Sequence, residues 1–449
     1  MQNLTMRPKV FLFTRIYPFL FSLLILGSCN PSGTGGLFKK RSAHQVYAQR
    51  LQEAGLDKTA MGRSWLLEAE SSLEKSVPVS IPYQEAGYFA AENVEAASFR
   101  FEAKRGEKLT ITLKKKSAEN MMIFMDLFSK QLNSKNADLI AFADTSGNPI
   151  KYDVDEAGFY FLRLQPELLK SGEYTLSITS GPSLAYPIKA PGKNHVKSVW
   201  GDSRDANSRK HEGIDLFAKF RTPVVAAAAG RITRVNTTNL GGKVVWLKPD
   251  GKNYTLYYAH LDTQLVEAGQ LLDEGDILGL MGNTGNAKGT LPHLHFGIYT
   301  FGGAVDPLPF VNRKIELLAD ISASKEYLNT TLRTTSVNTQ LYSSPNQKTM
   351  LRTLPAQTIL VVKAASSYFY KVSLPNGESG YVSSRLVTAI YNPIRKITLS
   401  VSQPLLNKPD TTALHKTVLS SGKSLSILGS FQNYYFVNDQ DKNTGWISK

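Results

Sequence analysis

The amino-acid sequence predicts a mainly β, multidomain protein, and three features support this fold class. Apolar and polar residues alternate over residues 80–182, which is typical of strands with one buried face. Residues 190–312 are rich in glycine and alternate in the same way. Two similar segments, 332–389 and 395–449, close the chain. A chain of 449 residues is too long for a single hydrophobic core, so several domains are expected.

The N-terminus has the features of an export signal. Arg7, Lys9 and Arg15 precede an apolar run over residues 16–26. A positive segment followed by a short apolar segment is the pattern of a signal peptide, and this run is short for a membrane span. We therefore predict a signal peptide over residues 1–28, with an uncleaved membrane anchor as the alternative.

The end of the apolar run predicts lipidation. Leu26-Gly27-Ser28-Cys29 resembles the bacterial lipobox, and Cys29 is the only cysteine of the chain. Residues 29–41 include the run Asn30-Pro31-Ser32-Gly33-Thr34-Gly35-Gly36 and are predicted to be a flexible tether. We therefore predict a lipoprotein with its lipid on Cys29, located in a bacterial cell envelope, with a plain signal peptide as the alternative. Asn30 is not the aspartate that favours inner-membrane retention, so the outer membrane is favoured.

Residues 42–77 are predicted to be helical. Asp57 is the predicted N-cap of the second of two helices. One apolar stripe recurs at helical spacing in that helix, and it is formed by Met61, Trp65, Ala69 and Leu73.

Residues 80–182 are predicted to form an accessory β-sandwich. Short alternating runs are separated by glycines at positions 106, 158 and 172, which is typical of strands joined by turns. The apolar positions of three such runs are Phe99, Phe101 and Ala103; Leu109, Ile111 and Leu113; and Tyr174, Leu176 and Ile178.

Histidines and an aspartate with strand spacing occur in residues 190–312. His293 and His295 stand two apart in a predicted strand, so both imidazoles project from the same face. His211 and Asp215 obey the same rule if their segment is extended, and Gly213 leaves space between them. These four side chains can therefore converge on one side of a sheet.

His260 follows another alternating run, which places it on the same face as Tyr258 and Leu256. Imidazoles with one carboxylate are the ligands of a hydrolytic zinc site with an open position. Additional histidines supply the proton transfer that such chemistry needs. An isolated histidine indicates little, so no ligand role is assigned to His44, His195 or His415.

His211-x-x-x-Asp215, then His260, then His293-x-His295 resembles the lysostaphin-type zinc endopeptidase family, whose members cut peptidoglycan peptides. The resemblance covers residues 190–312, and it implies a zinc endopeptidase domain built on a β-sheet. The further matching segments are Trp200-Gly201-Asp202, Thr222-Pro223-Val224-Val225-Ala226-Ala227, Gly241-Gly242-Lys243-Val244-Val245, Gly282-Asn283-Thr284-Gly285 and Pro292-His293-Leu294-His295-Phe296.

The resemblance implies one zinc ion bound by His211, Asp215 and His295, with an open position for water. It also implies catalytic roles for His260 and His293. One of them would act as general base, and the other would stabilise the oxyanion or protonate the leaving amine. We favour His293 as the base, although the spacing alone leaves the two roles interchangeable.

Glu212 invites comparison with the glutamate of HExxH helices. That motif requires a second histidine four residues after the first, and Asp215 occupies that position here. A neighbour of His211 in an extended segment also points away from the metal. We therefore predict that Glu212 faces solvent.

The two C-terminal segments, 332–389 and 395–449, share a coarse internal repeat. They resemble tandem bacterial SH3-like domains, which implies two small barrels of a kind that accompanies wall hydrolases. The matched parts are Tyr342-Ser343-Ser344-Pro345 with Leu406-Asn407-Lys408-Pro409, Tyr368-Phe369-Tyr370 with Tyr434-Tyr435-Phe436, and Gly380-Tyr381-Val382 with Gly445-Trp446-Ile447.

The net charge of +15 at pH 7 is spread along the chain. No basic helix is evident and the chain has an export signal, which argues against a nucleic-acid partner. A basic surface suits an envelope rich in carboxylates and phosphates, and the alternative is a solvated face without a partner. The expected partners are peptidoglycan and, through the lipid, a membrane.

Three functions remain open at this point. The resemblance favours a lipid-tethered zinc endopeptidase that hydrolyses the peptide cross-links of peptidoglycan. The second function is a zinc endopeptidase that acts on proteins or peptides. The third is a non-catalytic wall-binding activator of an amidase, and the complete set of predicted site residues argues against it.

Overall fold

The computed structural model describes residues 40–449 except 117–119, 131–136, 145, 193–194, 205–206, 440 and 442. The predicted signal peptide and Cys29 lie outside the described residues. In the part of the chain that is described, no helix has the length and apolar character needed to cross a membrane.

Two helices begin the described chain, α1 (Ala43–Glu53) and α2 (Ala60–Glu74), and a 3-10 turn over Leu56–Lys58 joins them. The Thr59 side chain accepts a backbone hydrogen bond from the first turn of α2 and caps it. The prediction that Asp57 caps this helix was wrong, because the chain makes the 3-10 turn there first.

The next nine strands form two layers around one apolar core. One sheet has the order β1-β3-β8-β5-β6, and β2-β9-β4-β7 belongs to the other. The predicted alternation is confirmed, because the phenylalanines and leucines singled out in the sequence point mostly into this core. The strands are β1 (Val77–Pro78), β2 (Tyr83–Phe89), β3 (Ala97–Ala103), β4 (Glu107–Lys116), β5 (Ile123–Ser129), β6 (Asp138–Phe142), β7 (Ile150–Asp153), β8 (Gly158–Pro166) and β9 (Gly172–Pro182).

A buried polar cluster attaches the two helices to β5 and β8. The His44 ring stacks on Trp65 with 4.6 Å between centroids, and its Nε2 lies 2.7 Å from Oε1 of Gln165. Arg163 donates to Asp126 over 2.6 Å and to Nδ1 of His44 over 3.2 Å. Burial lowers the pKa of His44 to about 4, and the charge of Arg163 acts in the same direction. Both ring nitrogens of His44 therefore have a hydrogen-bond partner while the imidazole is neutral.

The histidine-rich region forms a ten-stranded sheet, whose principal order is β10-β13-β20-β17-β16-β15-β18. The strands are β10 (Val196–Ser198), β11 (Ser203–Arg204), β12 (Arg209–Lys210), β13 (Ile214–Phe217), β14 (Pro223–Val225), β15 (Gly230–Thr238), β16 (Gly242–Pro249), β17 (Tyr254–Gln264), β18 (Leu271–Leu272), β19 (Ile277–Met281), β20 (His293–Thr300) and β21 (Gly303–Val305). β11 and β12 pair apart from this sheet, and the short helix α3 (Leu308–Val311) follows it.

The C-terminal strands form open sheets. In the first segment the strand order is β28-β22-β25-β26-β27-β23-β24, and in the second it is β29-β32-β33-β34-β30-β31. Among the described residues, the first and last strands of each order do not pair with each other, so neither sheet closes into a barrel and the SH3-like barrels stay a prediction. The strands are β22 (Thr331–Thr334), β23 (Thr339–Tyr342), β24 (Met350–Leu354), β25 (Ile359–Ser366), β26 (Phe369–Ser373), β27 (Ser379–Ser383), β28 (Val387–Ala389), β29 (Arg395–Thr398), β30 (Gln403–Leu406), β31 (His415–Leu419), β32 (Ser424–Phe431), β33 (Tyr434–Asn438) and β34 (Thr444–Ser448).

One strand pairing was not anticipated from the sequence. β2 pairs with β9 on one side and with β25 on the other, through Ala86 with Ala365 and Gly87 with Ala364. The accessory region and the first C-terminal segment therefore share an eleven-stranded sheet. Pairing across such a sequence distance leaves no local pattern in either strand.

Candidate metal centre

Three adjacent antiparallel strands form the floor of the centre. Asp215 on β13 pairs with His295 on β20, which pairs with Ala259 on β17. The opposite face of these strands is fully buried, which confirms the predicted apolar face of β20. The core residues on that face include Ile214, Leu216, Leu256, Tyr258, Leu294, Phe296 and Ile298.

His260 reaches the metal face through a break in strand alternation. Its φ of 62° is left-handed, and the β16–β17 register shifts between Tyr258 and Leu261. Tyr258 and Leu261 both pack in the core, whereas the His260 ring lies 5.9 Å from the His295 ring. The prediction that His260 shares a face with Tyr258 and Leu256 was therefore wrong, because a bulge rotates this residue to the other side.

Three ligating atoms converge beside this floor. Nε2 of His211, Oδ1 of Asp215 and Nδ1 of His295 lie 3.0 Å from one another. Burial alone would raise the pKa of Asp215, but its contacts with His211 and His295 hold that pKa well below its usual range. The centre thus presents an ionised carboxylate between two imidazoles.

This donor set fits a zinc ion. Nδ1 of His211 lies 2.9 Å from the Val199 carbonyl oxygen and donates its proton there, so Nε2 keeps its lone pair. Nε2 of His211 and Oδ1 of Asp215 lie 3.0 Å apart. Because both atoms are electron-pair donors, a cation bound between them stabilises this arrangement. Two imidazoles and one carboxylate are ligands of catalytic zinc sites.

The space at Gly213 is required by the geometry. A Cβ atom built on Gly213 would lie 2.6 Å from Cε1 of His295 and 2.6 Å from the Phe296 carbonyl oxygen. The predicted gap between the first two ligands is therefore confirmed, and His295 occupies it. Glu212 is exposed, as predicted.

His260 and His293 stand next to the three ligating atoms, and their ring centroids are 4.9 Å apart. Nδ1 of His260 lies 2.9 Å from the Thr284 carbonyl oxygen, and Nδ1 of His293 lies 2.9 Å from that of Leu291. Each Nδ1 therefore carries the proton in the neutral ring, and each Nε2 keeps a lone pair. Burial, with the nearby imidazoles, lowers the pKa of His260 to about 4.

Arg204 is a polar neighbour of the centre that the sequence reasoning missed. It donates to Oδ2 of Asp215 over 2.7 Å and to Oγ of Ser198 over 2.6 Å. Its position eleven residues before Asp215 follows no strand or helix spacing, and it belongs to β11, which pairs with β12 apart from the sheet that carries Asp215. No local signal in the sequence marks it.

The site has the ligand set of a metallopeptidase and lies on a mainly β fold. The sequence model of peptidase family M23 matches residues 209–307. This stretch has the sequence pattern of an M23 peptidase, and His211, Asp215 and His295 form a group within it that can hold a metal ion.

Curated relatives match between 25% and 36% of this chain. An uncharacterized metalloprotease of Haemophilus influenzae is 32% identical over 36% of this chain and 32% of its own length. The L-Ala–D-Glu endopeptidase of Bacillus subtilis is 31% identical over 28% of this chain and 42% of its own length. The peptidoglycan DD-endopeptidase ShyA of Vibrio cholerae is 33% identical over 25% of this chain and 28% of its own length. The chain thus spans less than half the length of these relatives.

Proposed function

We propose that the protein is a zinc-dependent endopeptidase that hydrolyses peptide cross-links of peptidoglycan. The observation that carries this proposal is the convergence of three ligating atoms at 3.0 Å, beside two imidazoles that each retain a free Nε2. Two relatives, a peptidoglycan DD-endopeptidase and an L-Ala–D-Glu endopeptidase, support the choice of substrate.

His211, Asp215 and His295 would hold the ion, which when bound supplies a Lewis acid that polarises a carbonyl and makes water acidic near neutral pH. We assign His293 as the general base. Its ring stacks on Phe217 at 4.7 Å, and its Nδ1–H is held by the Leu291 carbonyl, so Nε2 is fixed as a proton acceptor.

We assign His260 to the oxyanion or the leaving amine. Its Nδ1–H donates to the Thr284 carbonyl, which orients the ring. The left-handed backbone at His260 holds this ring 4.9 Å from the ring of His293. The two imidazoles are therefore close enough to act on one scissile bond, with one accepting a proton and the other stabilising charge or returning a proton.

The proposed location is the bacterial envelope, with a lipid on Cys29 as the tether. This proposal is supported by the positive and apolar segments of the N-terminus and by the single cysteine at its end. The intact mass of the envelope-extracted protein tests it. A mature N-terminus other than a lipid-modified Cys29 would refute the tether and leave the enzymatic proposal intact.

A zymogram tests the enzymatic proposal, with purified sacculi in one gel and casein in another. We expect the wild-type protein to clear sacculi and His293→Ala to fail. His415→Ala is the matched control, because His415 is an exposed histidine on β31. Clearing of casein alone would favour a protein-directed endopeptidase. Binding of sacculi with no clearing would favour the non-catalytic activator of an amidase.

A further inference from the structure

The outer oxygen of the metal-binding carboxylate has a charged partner. Oδ1 of Asp215 faces the two imidazoles, whereas Oδ2 accepts a hydrogen bond from Nη2 of Arg204 over 2.7 Å. The Asp215 side chain is 9% exposed and that of Arg204 is 30% exposed, so the ion pair lies at the rim of the centre. The two oxygens of one carboxylate thus have separate roles.

Arg204 is itself held in place by a short segment. Ser198 Oγ accepts from Arg204 over 2.6 Å and donates to Asp202 over 2.7 Å. The next residue, Val199, accepts from Nδ1 of His211 over 2.9 Å. Residues 198–204 therefore contact Nδ1 of His211 and Oδ2 of Asp215, the atoms that face away from the centre. These contacts fix the orientation of both side chains.

We propose that Arg204 is a positioning residue that restricts Asp215 to one-oxygen coordination. Carboxylates bind cations through one oxygen or through two. The charge-assisted bond from Arg204 occupies Oδ2, so only Oδ1 remains for the ion. A catalytic site needs an open position, and a second carboxylate oxygen would compete for it.

The expected effect on kcat rests on the proposed function. The expected effect on metal coordination depends only on His211, Asp215 and His295. Without Arg204, Oδ2 becomes free to turn inward and the carboxylate becomes a stronger donor. The Lewis acidity at the centre then falls, while the surfaces that contact substrate are unchanged. The loss therefore falls on kcat, with KM retained.

The test compares Arg204→Gln, Arg204→Lys and the wild-type full-length chain after replacement of zinc by cobalt. We expect Arg204→Gln to change the visible cobalt absorption spectrum towards the weaker bands of higher coordination. Its kcat on sacculi should fall about 10–100-fold with KM within a factor of two. Arg204→Lys keeps a charge and should be intermediate in both readouts.

Arg221→Gln is the matched control, because Arg221 and Asp262 form an exposed ion pair at 3.7 Å in the same domain. Its cobalt spectrum should equal that of the wild type. An unchanged cobalt spectrum in Arg204→Gln would overturn the proposal, and a raised KM with that spectrum would assign Arg204 to substrate binding instead. The spectrum needs no substrate, so this failure is distinguishable from an inability of the wild type to cut sacculi.

Discussion

Tyr258 and His260 lie two residues apart on one strand, yet their side chains occupy opposite faces of the sheet. Tyr258 is fully buried in the core, and His260 lies beside the metal-binding imidazoles. The left-handed φ of 62° at His260 and the register shift beside it produce this reversal. A bulge therefore brings the second proposed catalytic imidazole to the centre.

The backbone of His260 is expected to show a residue preference that is separate from its chemistry. A β-branched residue is strained at positive φ, whereas asparagine tolerates it. His260→Val should therefore unfold about 1–2 kcal/mol more easily than His260→Asn in urea. Both variants should lose activity on sacculi. Equal stabilities would show that the bulge relaxes when His260 is replaced.

Removal of a ligand should differ from removal of the base. His211→Ala and Asp215→Ala should each abolish zinc binding and hydrolysis, because two remaining donors cannot hold the ion tightly. His293→Ala should retain one zinc per chain and lose about 10²–10⁴-fold in turnover. Elemental analysis and sacculus hydrolysis measure the two effects. A zinc-free His293→Ala would mean that His293 supports the metal rather than the proton transfer.

Gly213→Ala should damage the centre although Gly213 is no ligand. The added Cβ would meet Cε1 of His295 at 2.6 Å and force that ring out of position. Zinc content and hydrolysis should both fall. Gly302→Ala is the control in the same domain, since its Cβ would make only an ordinary contact at 3.8 Å. Normal zinc content in Gly213→Ala would contradict the observed crowding.

Protonation of His44 should weaken the fold in mild acid. The pKa of His44 is lowered from 6.5 to about 4 by burial, so the unfolded chain binds a proton that the folded chain excludes. The associated stability is complete above pH 6.5 and is lost as the pH falls towards 4, for a total of about 3 kcal/mol. Denaturant titrations between pH 7 and pH 4.5 measure it.

His44→Asn should remove that part of the pH dependence, so its unfolding free energy should change less with pH than that of the wild type. His415→Asn, at an exposed position, should keep the wild-type dependence. Parallel pH profiles for His44→Asn and the wild type would show that the imidazole of His44 titrates equally in both states.

Local patterns in the chain predicted the apolar face of β20, the strand alternation of residues 80–182 and the two N-terminal helices. His293 and His295 could be assigned to one face because side-chain direction in a strand depends only on spacing. The space at Gly213 and the exposure of Glu212 followed from the same rule, and both are observed. The period-two runs of residues 80–182 likewise predicted which side chains form the core.

Contacts between distant segments were decided only in the folded molecule. Arg204 contacts Asp215 from β11, which lies outside the sheet that carries Asp215. β2 pairs with β25 over more than 270 residues, from Ala86 to Ala365. The face of His260 depends on one left-handed residue, which period-two reasoning cannot detect. Spacing encodes direction only while the backbone stays regular, so bulges, loops and long-range pairings require the tertiary structure.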